Sequence, residues 1–308
     1  MCEEKAVYQY DAENDVLIRR PPHGADLILY RHELVWRRFF DADEGYRRAI
    51  SLGQGHWDKL DTVSEEKAEQ LLKEWGYSEQ LQKEWDLMQE KWDLVRCRHS
   101  VRQFREKSIP QEVRDELDAF ARQCSIAGEL SIQIIYDEPR CFNSRKAHYG
   151  KFRNCSNYIA LVGKNGEDLE ERCGYYGEQV VLKAQELGLN TCWAALTHGK
   201  SEAIVAEDET EVILIALGYG QTQGRSRKSK SFSQVSDNTT NLPDWYIRGI
   251  RSALCAPTAM NQQKFKFSLN GDRVSVRTGR FGPCLRIDLG IVKYHFELLA
   301  GPENFTWA

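Results

Sequence analysis

Two strand-length runs, NYIALVGK (157–164) and EVILIALGYG (211–220), are apolar at nearly every position rather than at every second one. Side chains of a strand alternate between the two faces of its sheet, so such runs are stable only where both faces are covered. The intervening and preceding sequence supplies the covers. DLEERCGYYGEQVVLKAQELGL (168–189) reads as a long helix, and IPQEVRDELDAFARQCSIAG (109–128) as another with Pro110 at its start. LSIQIIYD (130–137) reads as a further strand, and NTCWAAL (190–196) follows the long helix. The implied domain is α+β with a buried sheet.

The first 80 residues have a different character and form a small β-containing module of unassigned role. AVYQYDAENDVLIRR (6–20) alternates on both sides of a polar turn, as a β-hairpin does, and ADLILYRHELVWRRFF (25–40) reads as one or two strands. TVSEEKAEQLLKEWG (62–76) has the marks of a helix: Ser64 as cap, acids in the first turn and Gly76 at the end. A second helix follows, with Leu81, Trp85, Met88 and Trp92 as a packing stripe. His32 and Trp36, with Arg31, Arg37 and Arg38, form an aromatic and basic patch, read as a half-buried strand with a wet face.

Composition excludes several classes. With a net charge of −4 over 308 residues, the chain offers no bulk attraction to nucleic acid or anionic lipid. No stretch approaches the roughly 18 apolar residues of a membrane span. The N-terminus has no basic segment followed by an apolar one, so a cytoplasmic protein is expected. Nine cysteines, without a CxxC pair or a histidine at ligand spacing, imply reduced buried thiols and no metal site.

The polar stretch 223–242, basic at Arg225, Arg227, Lys228 and Lys230, reads as a linker between residues 81–222 and 243–308. The last segment opens with a helix and then ALCAPTAMNQQKF (253–265), where Pro, Thr, Asn and two Gln stand between helix and strand. These residues are poor helix formers and natural ligand contacts. Helix, turn and strand recur in the order seen at residues 110–136, with Arg114 and Arg248 near the two helix starts, but the first copy lacks the Pro and Asn. GYG at 218–220 lacks the third glycine and following helix of a dinucleotide fingerprint.

RHSVRQF (98–104) places Arg98, His99, Ser100 and Arg102 within five residues, a set that suits a phosphate and a polyhydroxyl chain. With its preceding cysteine it resembles the N-terminal Arg-Arg-Ser-x-Arg-x-Phe motif of the nitroreductase-like flavoproteins. GYYGEQVVLKAQELGLNTCWAAL resembles their central helix and following turn, CAPTAMNQQKF their Ala-Pro-Ser-x-x-Asn-x-Gln motif, and LIALGYG their closing strand. The resemblance runs from about residue 84 to 308. Members usually form homodimers, with flavin between one subunit's Arg-rich motif and the other's Asn-bearing motif. Here the second motif lies about 155 residues after the first in one chain, which resembles an intrachain pseudo-dimer of that fold holding one flavin.

The resemblance implies FMN bound by Arg98, His99, Ser100 and Arg102, with Lys228 and Lys230 as further basic contacts. Pro257, Thr258, Ala259, Asn261 and Gln263 would line the isoalloxazine from the second half. Trp193, Ala194 and Ala195 would pass the flavin N5, with the Ala195 N–H as donor; many members have an acidic residue in that turn, which this chain lacks. NADH or NADPH would deliver hydride to the flavin, and a small electron-poor acceptor, nitroaromatic or quinone, would collect the electrons in a ping-pong cycle. No side chain is assigned a catalytic proton transfer, no membrane or nucleic-acid partner is expected, and the chain is expected to be a monomer or weak homo-oligomer. The alternative is a non-catalytic scaffold on the same fold, flavin-binding or flavin-free.

Overall fold

A computed structural model of the protein describes residues 7–11, 16–20, 27–30, 36–38 and 61–308. The chain divides into two compact units, Met1–Glu90 and Lys91–Ala308. In the first, β1 (Val7–Asp11), β2 (Val16–Arg20), β3 (Leu27–Tyr30), β4 (Trp36–Arg38) and β5 (Asp61–Val63) form an antiparallel sheet in the order β4-β3-β2-β1-β5. Helix α1 (Glu65–Trp75) starts where Ser64 Oγ accepts from the Lys67 N–H and stops at Gly76, whose φ of 83° is left-handed. Its Ala68 and Leu71 form a small core with Leu17 and Leu29 of the sheet. Arg31 and His32 lie outside the described residues, as do the side chains of Trp36, Arg37 and Arg38.

Helix α2 (Glu79–Cys97) leads into the second unit. Its Met88 and Trp92 are half-buried, while the side chains of Leu81 and Trp85 lie outside those described. There follow α3 (Gln111–Gly128), β6 (Leu130–Ile135), the short α4 (Arg145–Tyr149), β7 (Asn157–Lys164), α5 (Leu169–Glu186), β8 (Asn190–Ala194) and β9 (Glu209–Gly218). The four strands form one sheet in the order β6-β7-β9-β8, each neighbour antiparallel. The period-two alternation of β7 and β9 splits between two cores: Ile159, Leu161, Ile213, Ile215 and Leu217 enter the helical one, Tyr158, Ala160, Val162, Leu214 and Ala216 the other. Burial on both faces is what the uninterrupted apolar runs require.

The remaining elements are α6 (Phe232–Val235), α7 (Asp244–Ala253), β10 (Phe265–Asn270), β11 (Arg273–Thr278), α8 (Leu285–Ala300) and β12 (Thr306–Trp307). The stretch read as a linker thus carries a helical turn, closed by a Ser231–Gln234 capping box, and buries Val235. β10 and β11 form a hairpin whose two-residue loop opens on Gly271 at φ 64°, and β12 adds in parallel beside β11. Apart from the short α4 inserted between β6 and β7, the order helix, strand, strand, helix of α3-β6-β7-α5 recurs as α7-β10-β11-α8, both strand pairs antiparallel.

The two recurrences differ where it matters for a site. Between α3 and β6 stands one residue, Glu129, at φ 49°. Between α7 and β10 the chain takes residues 254–264, with Met260, Asn261 and Gln263 at φ 53°, 54° and 44°. Helices α5 and α8 cross with their backbones in contact at Gly174 and Gly290, where a Cβ would strike the carbonyls of Ile287 and Glu171. Helix α8 is buried around most of its girth, with Asp288 and His295 among its buried residues.

Candidate functional site

After α2 the chain runs extended across the end of β8. The Val101 N–H donates to the Thr191 carbonyl at 2.9 Å, and the Phe104 N–H to that of Arg153 at 3.1 Å. Val101 and Phe104 anchor this segment in a core, while Arg102 faces outward, 6.0 Å over the Phe152 ring. His99 and Ser100 are half-buried. Gly224, at φ 84°, approaches His99 so closely that a Cβ there would lie 2.5 Å from the histidine Cβ.

Arg98 turns inward and is 2% exposed. Its Nε lies 3.7 Å from Oε1 of Glu178, a carboxylate of α5 that is itself fully buried. Glu178 accepts from Trp193 Nε1 and His295 Nε2, both at 2.9 Å. Burial lowers the His295 pKa, which the adjacent Glu178 carboxylate partly offsets. Arg227 joins from the polar stretch, its Nη2 donating to the Cys255 carbonyl. Burial and then the nearby Arg98 lower its pKa to about 10, which leaves it cationic at neutral pH.

The cluster therefore sets two guanidinium cations against one carboxylate. Among the described residues, Arg98 Nε and Nη2 have no hydrogen-bond partner. Buried donors without partners are costly, and a buried excess of positive charge more so. An anion with two acceptor oxygens would relieve both.

The 254–264 turn is held by its own side chains. Asn261 Nδ2 donates to the Lys228 carbonyl at 2.8 Å, Gln263 Oε1 accepts from the Lys230 N–H at 2.8 Å, and Lys230 Nζ donates to the Gln263 carbonyl at 2.6 Å. Thr258 Oγ1 accepts from the Gln263 N–H at 3.0 Å. Each left-handed non-glycine residue costs about 1 kcal/mol or more, and these bonds hold three of them. Pro257 and Gln263 are buried, Thr258 and Ala259 half-buried, Lys228 and Asn261 exposed.

Asp288 of α8 completes the turn, accepting from the Ala259 N–H at 2.9 Å and from Gln262 Nε2 at 2.7 Å. Burial pushes its carboxyl up to about 6, which these two hydrogen bonds only partly offset. Raised above the ordinary value of about 3.9, the folded-state pKa makes the group's contribution to stability full below about pH 4 and lost as pH rises through 6. Asp288→Asn is expected to remove that slope. In urea titrations at about pH 4.5 and pH 7, wild type should lose about 2 kcal/mol more over the interval than the variant. Equal losses would contradict the assignment.

The β8 residues part company. Trp193 points to Glu178, Ala194 is buried in the sheet core, and Ala195 is exposed. Ala195 lines a cavity of about 540 Å³ with Leu196, His198 and Gly199 on one side and Ser144, Arg145 and Lys146 on the other. None of residues 98–102 or 257–263 lines it. The fold thus joins Arg98 with Trp193, and Lys228 and Lys230 with Thr258, Asn261 and Gln263, while Arg227 lies between the two groups. Glu178, His295 and Arg227 were not among the site residues expected from sequence. The signal for the first two was a charged or titratable residue on the apolar stripe of a helix, Glu178 in step with Gly174 and Val181, His295 with Ile291 and Leu299.

Among the described residues no helix is long and apolar enough to cross a membrane. A family model described as "Putative TM nitroreductase" matches residues 92–300. A Thermotoga maritima protein of that description has a solved structure that is 24% identical with a TM-score of 0.50, covering 68% of this chain and 82% of its own. An FMN-dependent nitroreductase of Clostridium difficile is 16% identical, covers 49% of this chain and 99% of its own, and has a TM-score of 0.37. A nitroreductase-type structure from Desulfovibrio desulfuricans, solved in complex with FMN, is 16% identical over 47% of this chain and 94% of its own, with a TM-score of 0.38. The search of curated proteins returned no match.

Proposed function

We propose, from the premise that the chain belongs to the nitroreductase family matched over residues 92–300, that it is an FMN-dependent oxidoreductase. It reduces a small electron-poor acceptor of nitroaromatic or quinone type at the expense of NADH or NADPH. The observation that carries this reading is the buried Arg98 guanidinium, with two unpartnered nitrogens beside Arg227 and a single buried carboxylate. A site of that charge and donor geometry fits a phosphate-bearing cofactor.

Bound FMN would supply two-electron chemistry, taking a hydride from the nicotinamide in one half-reaction and passing the electrons to the acceptor in the other. Arg98, with Arg227 beside it, would hold the cofactor's anionic oxygens; His99, Ser100 and Arg102 would serve its hydroxyls and pyrimidine edge. The 257–263 turn, strained and cross-tied, would wall the ring from the second half. Glu178 fixes Arg98 and Trp193, and its own charge is held in place by His295. No side chain of the cluster is required to act as nucleophile or base. In this reading the two helix-strand-strand-helix runs are an internal pair that replaces a homodimer. The recurrence of element order and the close crossing of α5 on α8 support it. The single-residue α3–β6 connection leaves no matching wall for a second cofactor.

The purified protein should show a flavin spectrum with about one FMN per chain. Arg98→Gln should weaken FMN binding by roughly ten- to a hundredfold, the worth of hydrogen bonds to a charged group. Titration of apoprotein with FMN, followed by NAD(P)H oxidation with p-benzoquinone as acceptor, checks both parts. A protein that takes no FMN from excess would overturn this reading in favour of the scaffold.

A further inference from the structure

We infer that an anion bound at Arg98 draws a proton onto the buried Glu178–His295 pair, so that the site takes up its phosphate-bearing ligand and a proton together. The inference rests on the reading above for the choice of ligand, and it makes His295 a positioning residue that acts through Glu178.

The geometry sets two negative charges against each other. Arg98 Nε and Nη2 lie along one edge of the guanidinium, the edge that grips an oxyanion with two parallel N–H bonds, and both are buried without a partner. Nε on that edge stands 3.7 Å from Oε1 of Glu178. An anion seated there is brought up beside a fully buried carboxylate. Like charges so placed oppose each other's ionisation, and a proton on the carboxylate side relieves them. His295 offers the place for it: its Nε2 lies 2.9 Å from the same Oε1, and its Nδ1 is buried with no partner.

The charge balance points the same way. Two guanidinium cations against one carboxylate leave an excess of one positive charge, which a dianion turns into an excess of one negative. One proton on the pair restores neutrality, and buried net charge of either sign is costly. Burial depresses the His295 pKa, Glu178 works against that, and Arg98 and Arg227 add to it. A bound anion offsets those two cations, so the pair holds its proton to higher pH than in the free protein. Affinity for the anion is therefore full below the free-state pKa and declines as pH rises through the bound-state one.

The other elements packed on α8 bring no competing charge to the pair. Arg248 of α7 donates from Nε to the Leu299 carbonyl, one turn beyond His295. Arg273 and Arg277 of β11 are exposed, and on α5 Glu171 is bonded to Lys293 and Tyr175 to Glu297. Tyr294, beside His295, is held protonated by burial and then by Glu178. His99 and Asp288 are the other groups near the ligand that can titrate close to neutrality.

Isothermal titration calorimetry of apoprotein with FMN at about pH 6.5, in PIPES and in imidazole buffer, counts the protons taken up through the buffers' different ionisation enthalpies. Wild type should take up about half a proton per chain more than His295→Gln, which keeps a donor for Glu178 but cannot be protonated. The subtraction removes what the FMN phosphate itself exchanges. Sulfate, a dianion throughout, should lose about threefold in affinity per pH unit above about pH 6 in wild type, read from tryptophan fluorescence, and nothing in the variant. His99→Gln and Asp288→Asn should keep the wild-type uptake and slope. Equal uptake in wild type and His295→Gln overturns the inference, as does uptake lost in the His99 or Asp288 variant. If His295→Gln does not fold, the sulfate slope of wild type decides, and a flat slope or no binding of either anion overturns the inference. A sloped sulfate affinity in a protein that takes no FMN overturns the oxidoreductase reading alone and leaves the proton coupling standing.

Discussion

Glu178→Ala is expected to destabilise the second unit by about 3–5 kcal/mol, the cost of breaking a buried ion pair by removing one partner. Three groups lose their acceptor or counter-charge at once: the Trp193 indole, the His295 ring and Arg98, whose Nε and Nη2 already lack hydrogen-bond partners. Glu178→Gln separates hydrogen bonding from charge. One amide oxygen can still serve Trp193 or His295, but the guanidinium cations of Arg98 and Arg227 are left with no buried carboxylate between them. The glutamine variant should therefore be less destabilised than the alanine variant, and its stability should depend more steeply on added phosphate than that of wild type. Urea titrations with and without phosphate measure both. A glutamine variant within about 0.5 kcal/mol of wild type, the range of ordinary surface substitutions, would show that the carboxylate's charge holds nothing.

The elements were legible because their signals are local. Ser64 and Gly76 bracket α1 through hydrogen-bond and dihedral preferences that act over a single turn. The two-faced burial of β7 follows from its composition alone. The candidate site was legible only in its outline. The Arg-rich segment and the Asn-bearing turn could be named, but not the residues through which they are held. Asn261 and Gln263 spend side-chain groups on bonds to Lys228 and Lys230, and Asp288 is called in from a distant helix to fix Ala259. Glu178 and His295 lie 117 positions apart on two helices that meet only because glycines let their backbones touch. Nothing in either helix alone says that they do. The order within the polar stretch 223–242 was hidden for a related reason: bonds to residues distant in sequence, such as Arg277 and Lys266 on Asp237, act there beside the burial of Val235. Those bonds hold the Asp237 carboxyl well below the usual carboxylate range.

The meeting of those helices makes Gly290 the most sensitive small residue in the second unit. Gly290→Ala should cost about 3 kcal/mol or more, even though alanine in a helix interior gains about 1 kcal/mol over glycine. The added methyl would collide with the Glu171 carbonyl and stand 2.6 Å from the Tyr175 amide nitrogen. Both are backbone atoms of α5, so no side chain can rotate away, and the helices must separate along the seam that brings His295 to Glu178. The substitution should therefore loosen the Arg98 cluster as well as the core and weaken FMN binding along with stability. Gly279→Ala is the fitting comparison. There a Cβ would meet only the Lys264 side chain, at 3.4 Å, so a change within about 0.5 kcal/mol is expected. Thermal melts of the two variants, paired with FMN titrations, decide the matter. If Gly290→Ala melts with wild type, α5 and α8 can move apart at little cost, and the seam cannot be what holds the site's two halves in register.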